Sequence, residues 1–144
     1  MGTISAMSAH NNVLFVGTDD GNVWVNLTAN TATPTSGWIR IRNGNGTGPG
    51  TGNLAFDGWI KLISPDYSDA TGRTAFIAVN YFRWGIRNWK PTIYKVTMNG
   101  TTADMREISG DLPPRINTNK VVKGADGNLY AATDYGMFFS NNNG

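Results

Sequence analysis

Apolar residues in this chain come in short runs, each bounded by Gly, Asn, Asp or Pro, and one arrangement of them returns. Leu14-Phe15-Val16-Gly17-Thr18-Asp19-Asp20-Gly21-Asn22-Val23-Trp24 reads apolar run, small residue, Thr-Asp, Gly, apolar run. Leu129-Tyr130-Ala131-Ala132-Thr133-Asp134-Tyr135-Gly136-Met137-Phe138-Phe139 reads the same way. Each copy predicts a strand, a tight turn and a second strand. Half the separation of the copies is about 57 residues, a length that suits one repeated supersecondary unit. The midpoint should then hold a third copy. Thr74-Ala75-Phe76-Ile77-Ala78-Val79-Asn80 and Thr92-Ile93-Tyr94-Lys95-Val96-Thr97 supply it, with a much longer turn between them.

Extending the pattern gives four strands per unit. The first unit offers Ile4–Ala9, Val13–Gly17, Val23–Leu27 and Trp38–Ile41. The second offers Trp59–Ile63, Thr74–Val79, Thr92–Met98 and Met105–Ile108. The third offers Asn117–Val122, Leu129–Ala132 and Met137–Ser140. No window carries a sustained i, i+3, i+4, i+7 apolar stripe, so almost no helix is expected. At 144 residues, with 18 Gly and 40 % hydrophobic residues, the chain has room for one all-β domain rich in turns. Four short antiparallel strands per unit is the plan of a β-propeller blade, and the chain holds about two and three-quarter of them. The expected division is blade 1 over residues 1–42, a Gly-rich link over 43–58, blade 2 over 59–110 and an incomplete blade 3 over 111–144.

Several segments resemble the sortilin-like, Asp-box (BNR) propeller repeats, as in bacterial sialidase-like and xyloglucanase-like proteins. Leu14 to Trp24 is similar to the opening of such a blade, Ser64-Pro65-Asp66-Tyr67-Ser68 to the segment leading into its second strand, and Ile108-Ser109-Gly110-Asp111-Leu112-Pro113 to a blade-to-blade linker. The Asp box itself, Ser/Thr-x-Asp-x-Gly-x-Thr-Trp, is eroded: Ser140-Asn141-Asn142-Asn143-Gly144 comes nearest, with Asn at the Asp position. The resemblance implies a propeller fold and an extracellular or secreted bacterial setting. It leaves function open, because one fold carries many roles.

Chemistry-bearing residues narrow the field. The net charge is +2, and the basic residues are scattered rather than striped, which argues against nucleic acid. Absence of Cys excludes disulfides and thiolate metal sites. No apolar run reaches membrane-spanning length, and Met1 to Ser5 does not open a signal peptide. Asp19-Asp20-Gly21-Asn22 lacks the Glu of a calcium loop and reads as a hairpin turn. Gly44 to Gly52 lacks the Gly-Lys-Ser/Thr ending of a phosphate loop and reads as a linker. The lone His10, beside Asn11-Asn12, reads as a solvent-facing turn residue, and one His gives no Ser-His-Asp arrangement. No metal, cofactor or catalytic residue is therefore expected.

Strand alternation places the turns between second and third strands at one end of every unit. The insert Tyr81 to Pro91 emerges there, with Tyr81, Trp84, Arg87 and Trp89, beside Asp19, Asp20, Asp134 and Tyr135. Aromatic rings with adjacent Arg and Asn suit sugar stacking, a protein interface, or cover for a blade edge. The expected function is a non-catalytic module for glycan or protein binding. The alternative is a piece of a glycoside hydrolase, sialidase-like or xyloglucanase-like, with catalytic carboxylates partly elsewhere. Three blades are too few to close a ring of the usual four to eight or so. The expected partners are therefore a second copy of the chain, most simply as a homodimer, or the remaining blades of a longer one.

Overall fold

The computed structural model describes residues 2–41, 58–80, 92–114 and 116–142. These residues are all-β, apart from a single 3-10 turn at Ala29–Thr31. They form three antiparallel sheets. Sheet 1 joins β1 (Ile4–His10), β2 (Val13–Thr18), β3 (Val23–Asn26) and β4 (Trp38–Ile41) in chain order. Sheet 2 joins β5 (Trp59–Pro65), β6 (Thr74–Asn80), β7 (Thr92–Asn99) and β8 (Thr102–Glu107) in the same manner. Sheet 3 joins β9 (Thr118–Lys123), β10 (Leu129–Thr133) and β11 (Gly136–Ser140).

Local chemistry fixes the hairpins. Asn11 and Asn12 both adopt left-handed backbone, at φ 44° and 64°, in the two-residue loop that pairs His10 with Val13. Asn tolerates that region better than other non-glycine residues, and such primed turns match the twist of the flanking strands. The β2–β3 and β9–β10 connections use another device twice. Thr18 N donates to Asn22 O and Gly21 N to Thr18 O; Gly124 N donates to Asn128 O and Gly127 N to Gly124 O. Gly21 and Gly127 sit at φ 84° and 83°, the left-handed position that this bulged turn needs.

Sheet 2 lies between the other two. Its β6 is buried along its whole length, which is why Thr74 to Asn80 reads as a continuous apolar run rather than an alternation. Ala75, Ile77 and Val79 face sheet 1, where Val13, Phe15, Val23, Val25 and Ile41 complete one core. Phe76, on the opposite face, joins Ile93, Ile108, Val121, Leu129 and Ala131 in a second core against sheet 3. Burying a side chain such as Phe15 or Phe76 contributes about 1.5–3 kcal/mol. Polar links cross both seams. Ser5 Oγ donates to Ile60 O at 2.7 Å, and Lys123 Nζ reaches Asp66 Oδ2 at 3.4 Å and Ser68 Oγ at 2.9 Å.

Those links also orient the sheets. Ser5 and Ile60 lie near the beginnings of β1 and β5, while Lys123 and Asp66 lie at the ends of β9 and β5. The three first strands thus run side by side in the same direction. Two sequence expectations shift. The strand expected at Met105–Ile108 begins earlier, at Thr102, because this outermost, mostly exposed strand carries no strong apolar pattern. His10, expected to face solvent, stands edge-on against the Tyr67 ring at 5.1 Å between centroids.

Candidate functional site

Each first strand carries a β-bulge at the same place in its ladder. Pairing slips between Ile4 and Ala6 in β1, between Ile60 and Leu62 in β5, and opposite Ala132 and Thr133 in β9. The extra residues are Ser5, Lys61 and Asn119. A bulge re-aims a side chain and bends its strand. Its threefold recurrence puts three polar residues at one level, near the end of the molecule where the β2–β3 and β10–β11 turns emerge.

At that end Asp134 collects donors. Its Oδ2 accepts from Asn117 Nδ2 at 2.6 Å, its Oδ1 from Asn119 Nδ2 at 2.7 Å, and its backbone N–H binds Asn117 O. Asn119 and then Asn117 hold the Asp134 carboxyl below the usual carboxylate range, and the Lys61 charge adds a smaller push in the same direction. The Lys61 ammonium also lies 5.3 Å from the centroid of the half-exposed Trp59 ring. Tyr135 follows Asp134 in the turn and is exposed, its N–H on Thr133 Oγ1. Trp59, Lys61, Asn117, Asn119, Asp134 and Tyr135 thus form an aromatic and polar patch where sheets 2 and 3 meet.

Asp19 and Asp20 occupy the matching turn of sheet 1. Asp19 Oδ1 accepts from Thr3 N at 2.8 Å, tying the turn to the segment before β1. Asp20 Oδ1 accepts from Thr18 Oγ1 at 2.5 Å and Asn22 Nδ2 at 2.7 Å, and these bonds, led by Thr18, lower its pKa. Both carboxylates therefore serve the turn. The two predicted turns share one end of the molecule, but among the described residues no hydrogen bond or ion pair joins Asp19 or Asp20 to Asp134 or Tyr135. Tyr81, Trp84, Arg87 and Trp89 lie outside the described residues.

Sequence reasoning missed Lys61, Asn117 and Asn119, since a bulge shows only in the pairing register. Asp126 was missed as well. In the β9–β10 turn, at the opposite end, it accepts from Tyr130 Oη at 2.5 Å and from Asn128, which lowers its own pKa and raises that of Tyr130. Asp66, also at that opposite end, is buried, capped by Ser68 N and Oγ and paired with Lys123. It is a structural residue. No group of three metal-ligating side chains exists among the described residues. No protein-family model and no curated protein matches this chain.

Proposed function

We propose that this chain is a run of β-propeller blades acting as a non-catalytic binding module, and that it binds a glycan on the end carrying Lys61, Asn119, Asp134 and Tyr135. The observation that carries the reading is the bulge repeated at Ser5, Lys61 and Asn119, which sets polar side chains at one level beside the aromatic rings of Trp59 and Tyr135. Sugar recognition needs flat apolar faces for the ring and fixed donors and acceptors for the hydroxyls. The patch has both.

Catalysis fits less well. A glycosidase general acid needs a carboxyl whose pKa is pushed up. The described carboxyls with displaced pKa values, Asp20, Asp69, Asp126 and Asp134, are all displaced downward. The propeller reading draws support from three sheets stacked with like register and co-directional first strands.

Calorimetric titration with a xyloglucan oligosaccharide and with sialyllactose tests the function. Binding of either, lost in Tyr135→Ala and in the double variant Trp84→Ala with Trp89→Ala, is the expected result. Hydrolysis of either sugar by the chain would overturn the non-catalytic reading.

A further inference from the structure

The register of the three sheets makes their residues equivalent position by position, and the two outermost faces break the pattern. Met137 pairs with Ala132 as Val23 pairs with Gly17 and Ile93 with Ala78. Phe139 pairs with Tyr130 as Val25 pairs with Phe15. Val23, Val25 and Ile93 are buried against the next sheet, yet Met137 is 74 % and Phe139 69 % exposed. The far side of sheet 1 shows the complementary anomaly. Ile4 pairs with Thr18 as Ile60 pairs with Val79, and Met7 with Val16 as Ile63 with Ile77. Ile60 and Ile63 are buried against the preceding sheet, while Ile4 is 63 % and Met7 65 % exposed.

Ile4 and Val16 also line a cleft of about 700 Å³ on that face, with Trp24, Trp38 and Arg40. The Arg40 guanidinium lies 5.7 Å from the centroid of the Trp24 ring, and its Nε, though buried, has no hydrogen-bond partner among the described residues. An apolar cleft with exposed aliphatic rims on one face, and two exposed large apolar side chains on the opposite one, marks interaction surfaces.

We propose that the outer face of sheet 3, through Met137 and Phe139, docks on the outer face of sheet 1 of a second copy of this chain. The argument is continuity: the same two kinds of face already meet twice within the molecule, between sheets 1 and 2 and between sheets 2 and 3. The contact is head-to-tail, so two copies make it twice and close a ring. Their six sheets fall inside the usual range of about four to eight propeller blades. This inference rests on the blade reading above but not on the glycan.

Light scattering after size exclusion tests it. The wild-type chain should have twice the 15.6 kDa mass of one copy. Phe139→Glu and Met7→Glu should each run as monomers with an unchanged β-type circular dichroism spectrum. Mixed together, they should recover a one-to-one pair, weaker than wild type, because one intact interface remains. A same-face contact could not be rescued by mixing. If either variant fails to fold, Met137→Lys and Ile4→Lys repeat the comparison. A wild-type monomer, leaving these faces to blades of a longer chain, overturns the proposal, as does a dimer that both variants leave intact. A monomer that still binds sugar overturns the docking alone; a dimer that binds neither sugar overturns only the glycan reading.

Discussion

Gly17 of β2 lies so close to Ile60 of β5 that a Cβ added to the glycine would stand 2.3 Å from Ile60 Cγ2. The equivalent positions in the other sheets, Ala78 and Ala132, carry a methyl group, so the seam between sheets 1 and 2 closes more tightly here. Overpacking such a contact costs about 1–3 kcal/mol. Gly17→Ala should therefore lower stability by that amount in denaturant unfolding. Combined with Ile60→Ala, which removes the Cγ2 methyl that the new Cβ would meet, it should cost less than the two single changes summed. Strict additivity would mean that the two residues do not share the strain.

Asp66 and Lys123 join the ends of β5 and β9. The Asp66 carboxylate is buried and accepts from Ser68 N and Oγ besides pairing with Lys123. Asp66→Ala leaves those donors unsatisfied and should destabilise by about 1–3 kcal/mol. Lys123→Met, at a partly exposed site, should cost less, because its loss leaves the Asp66 turn bonds in place. Thermal melts of the two variants check the order, and a larger loss for Lys123→Met would contradict it.

Acid should loosen the fold within a defined window. Partial desolvation pushes the Asp69 carboxyl up, but hydrogen bonds from Thr71 and Thr74 outweigh it and bring the pKa to about 2. A carboxyl depressed in the folded state stabilises fully above its unfolded value, about 3.9, and loses that contribution as pH falls through the folded one. Asp20, Asp126 and Asp134 shift in the same direction. The melting temperature should hold above about pH 4 and fall between about pH 4 and 2. Asp69→Asn, which keeps an acceptor for Thr71, should flatten that fall. An unchanged slope in the variant would assign the acid sensitivity elsewhere.

The all-β class and its antiparallel sheets were legible because their signals are local. Thr18-Asp19-Asp20-Gly21 and Thr133-Asp134-Tyr135-Gly136 each announce a hairpin, and the β6 run shows a strand covered on both faces. The patch was only half legible. Asp134 and Tyr135 stand in a turn that repeats, so comparison of the copies finds them. Lys61 and Asn119 sit inside strands, and nothing in their neighbours marks the bulge that turns them toward Asp134. Asp66 misleads in the other direction: its sequence context looks like that of any turn aspartate, while the Lys123 that pairs with it is 57 residues away. Contacts of that span come from packing between sheets, which strand periodicity does not encode.

Mapping the ligand by amide chemical shifts tests the central claim most directly. An isotope-labelled sample would be titrated with the xyloglucan oligosaccharide and with sialyllactose. The account predicts that one of them shifts the amides of Lys61, Asn119, Asp134 and Tyr135, together at the end of the molecule where the bulges recur. Shifts confined to the opposite turns, at Asn11–Asn12, Asp66–Gly72 and Gly124–Gly127, or no shift with either sugar, would contradict it.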